Sequence, residues 1–407
     1  MDGEPKRKDS RRLRFRVSRS AERALSRGHP WLYVDRIRDQ NREGTLGELA
    51  VVYSQDNRFL AAGLYDPFSR IRMRVLAAGK AEQIDEAWWR ARLQAALARR
   101  QPLFASDTTA YRLINGESDG FPGLVLDRYD KTLVLKIYTG IWLPQLPVLN
   151  EMFVQELGAE AMVLRLSRNI QELAQSDFNY RDGSVLTGRG DFESILFMEN
   201  GLRFEANVLL GQKTGFFLDQ RDNRGRIETL AQGRSVLNLF SFSGGFSLYA
   251  ARGGASEVVN LDISQHALSA AEKNYALNRD HPSVSSCRYH AVQADAFEWL
   301  REPVDRCFDC VLLDPPALAK NKQERDAALR AYESLNAAAL RRLKPGGIFI
   351  SASCSAQVKD EEFFEIVTRV AQQSGNRYRD IMRTGHAEDH PASFREAHYL
   401  KAIFLEF

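Results

Sequence analysis

The chain has 407 residues, 44% of them hydrophobic, and a net charge of only +3. That is enough for two or three domains and is not the charge of a histone-like protein. No apolar run approaches the roughly 18 residues of a membrane span. The opening MDGEPKRKDSRRLRFR lacks the apolar stretch of a signal peptide, and four cysteines in a chain this long make no disulfide framework. A reducing cytoplasm is therefore expected, with no membrane partner.

The charge is uneven. Residues 1–16 carry seven Lys/Arg against three Asp/Glu, a net of +4, so the remainder nets −1. Such an arm either touches phosphates or is a solvated tail, and charge alone leaves both open. Leu13, Phe15 and Val17 then alternate with arginines, which is strand periodicity. SAERALSRG reads as a short helix, and GELAVVYS, FLAAGLYD and IRMRVLA read as strands. Residues 1–80 are expected to form a small β-barrel.

The pattern changes at residue 81. EAWWRARLQAALARR places Trp89, Leu93 and Leu97 at helical spacing. GLVLDRYDKTLVLKIY reads as a hairpin turning at Asp130-Lys131, followed by a helix in QLPVLNEMFVQELG and a strand in AMVLRLS. This second, α+β region is assigned residues 81–192. The third, 193–407, opens on ILFMENGLRFEANV, where Asn200-Gly201 is a strong hairpin signal. Apolar strands then alternate with amphipathic helices, which predicts an α/β, doubly wound, mostly parallel sheet.

Ligands of such sheets bind beyond the carboxyl ends of the strands. The first strand ends in LFSFSGG, where Gly244 and Gly245 let backbone approach a ligand. The second ends in Asp262, eighteen positions after Gly244, where an acid can bind ribose hydroxyls. The third ends in Asp295-Ala296-Phe297, where an acid can take an adenine amino group. Each alone is more often a turn glycine or a capping aspartate, but three in register point to an adenosine-containing cofactor. SFSGGF lacks the G-x-G-x-x-G spacing of a dinucleotide site, which favours S-adenosylmethionine.

The fourth strand ends in Asp314-Pro315-Pro316. Two prolines stiffen the backbone and remove two N–H groups, presenting an acid and neighbouring carbonyls to a flat, amide-like group. The fifth ends in Ser353-Cys354-Ser355, which puts Cys354 on the same rim. Carbon 5 of a pyrimidine is a poor nucleophile until a thiolate adds at carbon 6, while an acid at N3 stabilises the charge that builds up. Asp314 and Cys354 are the pair this needs. A free thiol needs help to ionise. A helix starting near Lys359 could supply it, but Asp360, Glu361 and Glu362 in its first turn oppose that. Cys307-x-x-Cys310 has no partner pair at metal-ligand spacing, so no metal is expected, and Cys287 carries no motif.

GQKTGFFLDQRDNR, VLNLFSFSGGFSLYAARGGASEVVNLDIS, LLDPPALAKNK, ISASCSAQ and AEDHPASFREAHYLKAIF resemble the RlmI-type 23S ribosomal RNA (cytosine-C5) methyltransferases. GHPWLY and YRLINGESDGFPGLVLDRY extend the likeness over nearly the whole chain. It implies an N-terminal PUA domain, a small middle domain and a class I methyltransferase domain, with 23S ribosomal RNA as partner. It implies Cys354 as nucleophile and Asp314 as its catalytic companion, with the base against Pro315 and Pro316. Its cofactor set falls on Phe216, Gln220, Phe240, Ser243, Gly244, Asp262, Asp295 and Ala296. Relatives that methylate guanine lack a cysteine at this position, so Ser353-Cys354-Ser355 argues for cytosine, with guanine N-methylation as the alternative. Ala317 stands where many RNA cytosine-C5 enzymes have a second cysteine, which leaves the proton-removing base unassigned. His29 and Trp31 are either RNA contacts or barrel packing. A nicotinamide oxidoreductase and a non-catalytic RNA-binding module are the other classes weighed, and a homodimer is left open.

Overall fold

A computed structural model describes residues 12–319 and 321–407. Most of the basic arm, residues 1–11, lies outside the described residues. Among those described, strands gather into a six-stranded, a five-stranded and a seven-stranded sheet plus one two-stranded hairpin. No helix among them is long and apolar enough to cross a membrane. The chain divides into two compact units, one of residues 1–195 with 207–216, the other of 196–206 with 217–407.

The first unit opens with β1 (Leu13–Val17), which buries Leu13, Phe15 and Val17 and turns its arginines outward. Helix α1 (Arg19–Ser26) follows, its N-terminus capped by the Ser18 hydroxyl. Strands β2 (Trp31–Tyr33), β3 (Ile37–Gln40), β4 (Leu49–Tyr53), β5 (Phe59–Tyr65) and β6 (Ile71–Ala78) complete a sheet in the order β2-β6-β5-β4-β1-β3. The short strands β2 and β3 carry too little alternation to be read from sequence. Their position makes the sheet curl. Flat, six strands would hold the edges about 24 Å apart, yet β2 and β3 are those edges and only residues 34–36 separate them, a reach of about 14 Å at most.

Helices α2 (Glu86–Arg99) and α3 (Gln101–Phe104) lead into β7 (Ala110–Asn115), β8 (Leu124–Tyr129) and β9 (Thr132–Ile137). Then come α4 (Leu146–Leu157), β10 (Ala161–Leu166), α5 (Gln171–Phe178) and β11 (Val185–Thr187). The sheet order is β11-β10-β9-β8-β7, and the β8–β9 turn holds Asp130 at φ +52°. Leu64 and Leu76 of the curled sheet pack into the same core as Trp89, Phe121, Trp142 and Phe153. That shared core joins the first two regions of the sequence into one unit.

The second unit contains the hairpin of β12 (Ile195–Glu199) and β13 (Leu202–Ala206), with Asn200 at φ +49° and Gly201 at +79°, the two left-handed positions of a type I′ turn. Helix α6 (Arg221–Leu230) precedes β14 (Ser235–Leu239), α7 (Gly245–Arg252), β15 (Glu257–Asp262), α8 (Gln265–Leu277), α9 (Pro282–Ser286) and β16 (Arg288–Gln293). After them come α10 (Ala296–Trp299), β17 (Phe308–Leu313), α11 (Arg325–Leu340), β18 (Leu343–Ser353), α12 (Asp360–Gln373), β19 (Arg379–Thr384) and β20 (Lys401–Glu406). The order is β16-β15-β14-β17-β18-β20-β19. Strands β14 to β18 are parallel, and β20 inserts antiparallel between β18 and β19. The chain winds outward from β14 through β15 and β16, then restarts at β17 on the other side. That reversal opens a crevice at the carboxyl ends of β14 and β17.

Candidate active site

The loop after β14 is strained. Phe240 (φ +59°), Phe242 (φ +47°) and Gly244 (φ +74°) are all left-handed, which for a phenylalanine costs on the order of 1–3 kcal/mol. Neighbouring contacts hold the strain. The Asp262 carboxylate accepts the Phe242 and Ser264 N–H groups, both at 2.9 Å. The Ser241 N–H bonds the Leu261 carbonyl at 3.1 Å. Phe242 packs edge-on to Phe217, and Phe240 edge-on to Phe297 beside Asp295 and Ala296. A Cβ at Gly244 would lie 2.8 Å from the Ala271 Cβ on α8, so only glycine fits there.

The same loop buries the Ser241 and Ser243 hydroxyls without a hydrogen-bond partner, an expensive arrangement unless a ligand supplies one. Each Asp262 oxygen, holding one N–H, keeps a lone pair for a further donor. Unpaired hydroxyls, an acid with spare acceptor capacity and backbone bared by glycine fit a nucleoside carrying polar groups. Asp295 is exposed and caps α10, its Oδ1 accepting the Phe297 N–H at 2.8 Å, so here the capping role is realised.

On the other side of the crevice stands Asp314. Its Oδ2 accepts from the Gln220 amide at 2.9 Å. The Gln220 Oε1 accepts from Asn223 at 2.7 Å, and the Asn223 Oδ1 accepts from the Thr384 hydroxyl at 2.7 Å. This relay fixes the carboxylate from behind. Pro315 is buried and Pro316 exposed. Cys354 follows the last residue of β18, its Sγ 4.0 Å from the Pro315 carbonyl oxygen.

The flanking serines anchor that thiol. The Ser353 and Ser355 hydroxyls each lie 2.9 Å from the buried Tyr332 hydroxyl. Ser355 Oγ also accepts the Leu318 N–H at 2.9 Å, tying the proline-stiffened loop to the cysteine turn. Beneath the turn, the buried Lys401 ammonium donates to the carbonyls of Ser355 (2.7 Å), Val358 (2.5 Å) and Tyr399 (3.4 Å). The remaining cysteines lack this setting. Burial pushes the Cys310 thiol up to about 12 and the Cys287 thiol up to about 11, which keeps both protonated and inert. Cys307 sits 3.7 Å from the Arg341 carbonyl. No cluster of three or more metal-ligating side chains occurs among the described residues.

The family described as S-adenosylmethionine-dependent methyltransferase matches residues 156–375, over half of the chain, and the PUA-like domain family matches residues 15–78. A ribosomal RNA large subunit methyltransferase of Deinococcus radiodurans is 57% identical over 404 residues, 97% of each chain. The chain belongs to the ribosomal RNA large subunit methyltransferase family. The ribosomal RNA large subunit methyltransferase I of Photobacterium profundum is 38% identical, covering 94% of this chain and 96% of that one. A SAM-dependent methyltransferase from Streptococcus mutans shares the fold at TM-score 0.80 and 21% identity, over 97% of this chain and 100% of that one. A methyltransferase complexed with SAH does so at 0.82 and 21%, with the same coverage. The cofactor of this methyltransferase is S-adenosylmethionine.

In the methyltransferase, Phe240, Ser243, Gly244 and Asp262 converge on one loop, and Gln220, Asp314, Pro315 and Cys354 on another. Gln220, expected at the cofactor, holds Asp314. Phe216 belongs to the first unit, where it is buried and its N–H bonds the Tyr129 hydroxyl at 3.0 Å. Sequence reasoning missed Asn223, Tyr332, Thr384 and Lys401. Only Lys401 left a trace, as a lone cation at the head of the apolar run AIFLEF.

Proposed function

We propose that this methyltransferase modifies carbon 5 of a cytosine in 23S ribosomal RNA, with Cys354 as the nucleophile. The observation that carries this reading is the placement of Cys354 Sγ against the Pro315 carbonyl, on the same rim as Asp314. The 57% identical relative is named for large-subunit ribosomal RNA, which supports the substrate class. In the accompanying division of labour, the PUA-like barrel (1–80) holds RNA, the middle region (81–192) links, and residues 193–407 carry out the chemistry. His29 and Trp31, with Tyr33 and Arg36, line a cavity of about 210 Å³ on the barrel that suits such a contact.

The residues act as follows. The Cys354 thiolate adds to carbon 6 of the ring, and the electron pair displaced from the 5,6 double bond makes carbon 5 nucleophilic. Asp314, aimed by Gln220 and carrying a proton, gives that proton to N3 as negative charge collects there, accepts from the exocyclic amine, and takes the proton back when the ring is restored. Pro315 and Pro316 hold that face rigid, because their fixed φ removes backbone freedom. Asp262 and the 240–244 loop would hold S-adenosylmethionine, which would supply the electrophilic methyl group that carbon 5 takes. A base then takes the carbon-5 proton, the 5,6 double bond re-forms, and the Cys354–carbon 6 bond breaks to release thiolate. Ala317 cannot be that base, which leaves Asp314 or water.

RNA carrying 5-fluorocytosine at the target tests this. Fluorine cannot leave as a cation, so elimination stalls and a covalent protein–RNA adduct is expected on denaturing gels. Cys354→Ala should abolish adduct and turnover while leaving S-adenosylmethionine binding intact, and Cys310→Ser should change neither. An adduct that survives Cys354→Ala, or a methyl group mapped to a guanine nitrogen, would overturn the proposal.

A further inference from the structure

The thiol mechanism leaves a question of charge. Asp314, Asp360 and Glu362 all lie in the same part of the second unit, and a thiolate among carboxylates needs a compensating cation. The start of α12 is a poor source, since Asp360, Glu361 and Glu362 fill its first turn. Glu362 is already engaged, by the Arg325 guanidinium and by the Lys359 N–H at 3.0 Å.

Lys401 is fully buried, and its strand runs antiparallel to β18 with Lys401 directly opposite Ser353, the residue before the thiol. Three carbonyl oxygens, of Ser355, Val358 and Tyr399, surround Nζ. An ammonium has three protons and matches three acceptors, whereas a neutral amine would turn its lone pair on one of them. Resting on Cys354 as the nucleophile, we infer that Lys401 is a positioning residue for the reaction: its buried ammonium holds the cysteine turn and favours the Cys354 thiolate through space. With all three protons committed to carbonyls, it acts by its field and donates no proton to sulfur. The thiol proton leaves to solvent. Burial pulls the Lys401 ammonium down to about 8, while Asp360, Cys354 and Glu362 hold it up. At neutral pH the charged form therefore dominates, and the coupling to Cys354 is mutual.

The test is the pH profile of Cys354 alkylation by iodoacetamide, in full-length protein carrying Cys307→Ser so that one accessible thiol reports. The wild-type lysine should give a thiol titrating below the roughly 8.5 of free cysteine. Lys401→Met should move that midpoint up by about one pH unit or more, and Lys401→Arg should largely restore it. Methylation at pH 7 should fall about tenfold in Lys401→Met, with S-adenosylmethionine affinity retained, and recover as pH rises. A merely structural lysine would change amplitude or stability without moving the profile. An unshifted midpoint in a Lys401→Met protein that still binds S-adenosylmethionine overturns the inference. Should that variant fail to fold, a wild-type midpoint at or above free cysteine overturns it equally. The fluorocytosine adduct depends on Cys354 itself, so the nucleophile assignment and the role of Lys401 fail separately.

Discussion

At the scale of single residues, the site is built from side chains with two tasks each. Asp262 accepts the Phe242 and Ser264 N–H groups and so holds the strained loop, and it retains acceptor capacity for a further donor. Asp262→Ala removes both, and S-adenosylmethionine binding should weaken by on the order of 1–3 kcal/mol, the range for a charged hydrogen-bonding group. Titration calorimetry on the folded variant checks it, and unchanged affinity would remove Asp262 from the cofactor site. Asp262 was legible in the sequence because it is the last residue of an apolar-rich parallel strand, where the chain leaves the sheet. Gln220 was not read as a partner of Asp314, since 94 positions separate them.

At the scale of elements, the loop between β19 and β20 is pinned by a buried ion cluster. Arg221 of α6 forks onto both oxygens of Asp389 (2.8 and 3.0 Å), and the His390 ring lies 2.9 Å from Asp389 Oδ1. Burial alone would raise the Asp389 carboxyl, but His390 and Arg221 outweigh it and hold the carboxyl far below its ordinary 3.8. A carboxylate depressed in the folded state stabilises above its unfolded value and loses that contribution as pH falls through its folded one. Asp389→Asn should therefore lower the urea midpoint at pH 7, by an amount that shrinks steadily below about pH 4. A gap between wild type and variant that stays constant down to pH 2 would mean that the charge of Asp389 is not what stabilises the loop. AEDHPASFREAHYL has no periodicity, so no sequence pattern announces that this loop is anchored.

At the scale of the whole molecule, the chain joins a PUA-like barrel to an S-adenosylmethionine-dependent methyltransferase domain, and the arm before β1 carries Lys6, Arg7 and Lys8. Deleting residues 1–10 spares β1 and removes these cations. RNA affinity should drop, and the slope of log K against log salt should flatten by about 2–3, since each lost phosphate contact releases one counterion fewer. Filter binding across a salt series measures this, and an unchanged slope would assign the arm to solvent.

The sequence by itself determined what depends on local pattern. Alternation set β1, the Asn200-Gly201 pair set the type I′ turn, and the run of apolar strands and amphipathic helices set a doubly wound sheet whose strand ends carry Asp262, Asp314 and Cys354. Each of these follows from neighbours a few residues apart, where side-chain period and backbone preference act directly. Only the tertiary structure decided that Leu64 and Leu76 share a core with Trp89 and that Gln220 aims Asp314. It alone set Tyr332 between two serines and slid β20 beside β18 to bury Lys401 under the cysteine turn. Those placements depend on which strands pair and which helices cover them, and that choice is made by the packing of residues far apart in the chain.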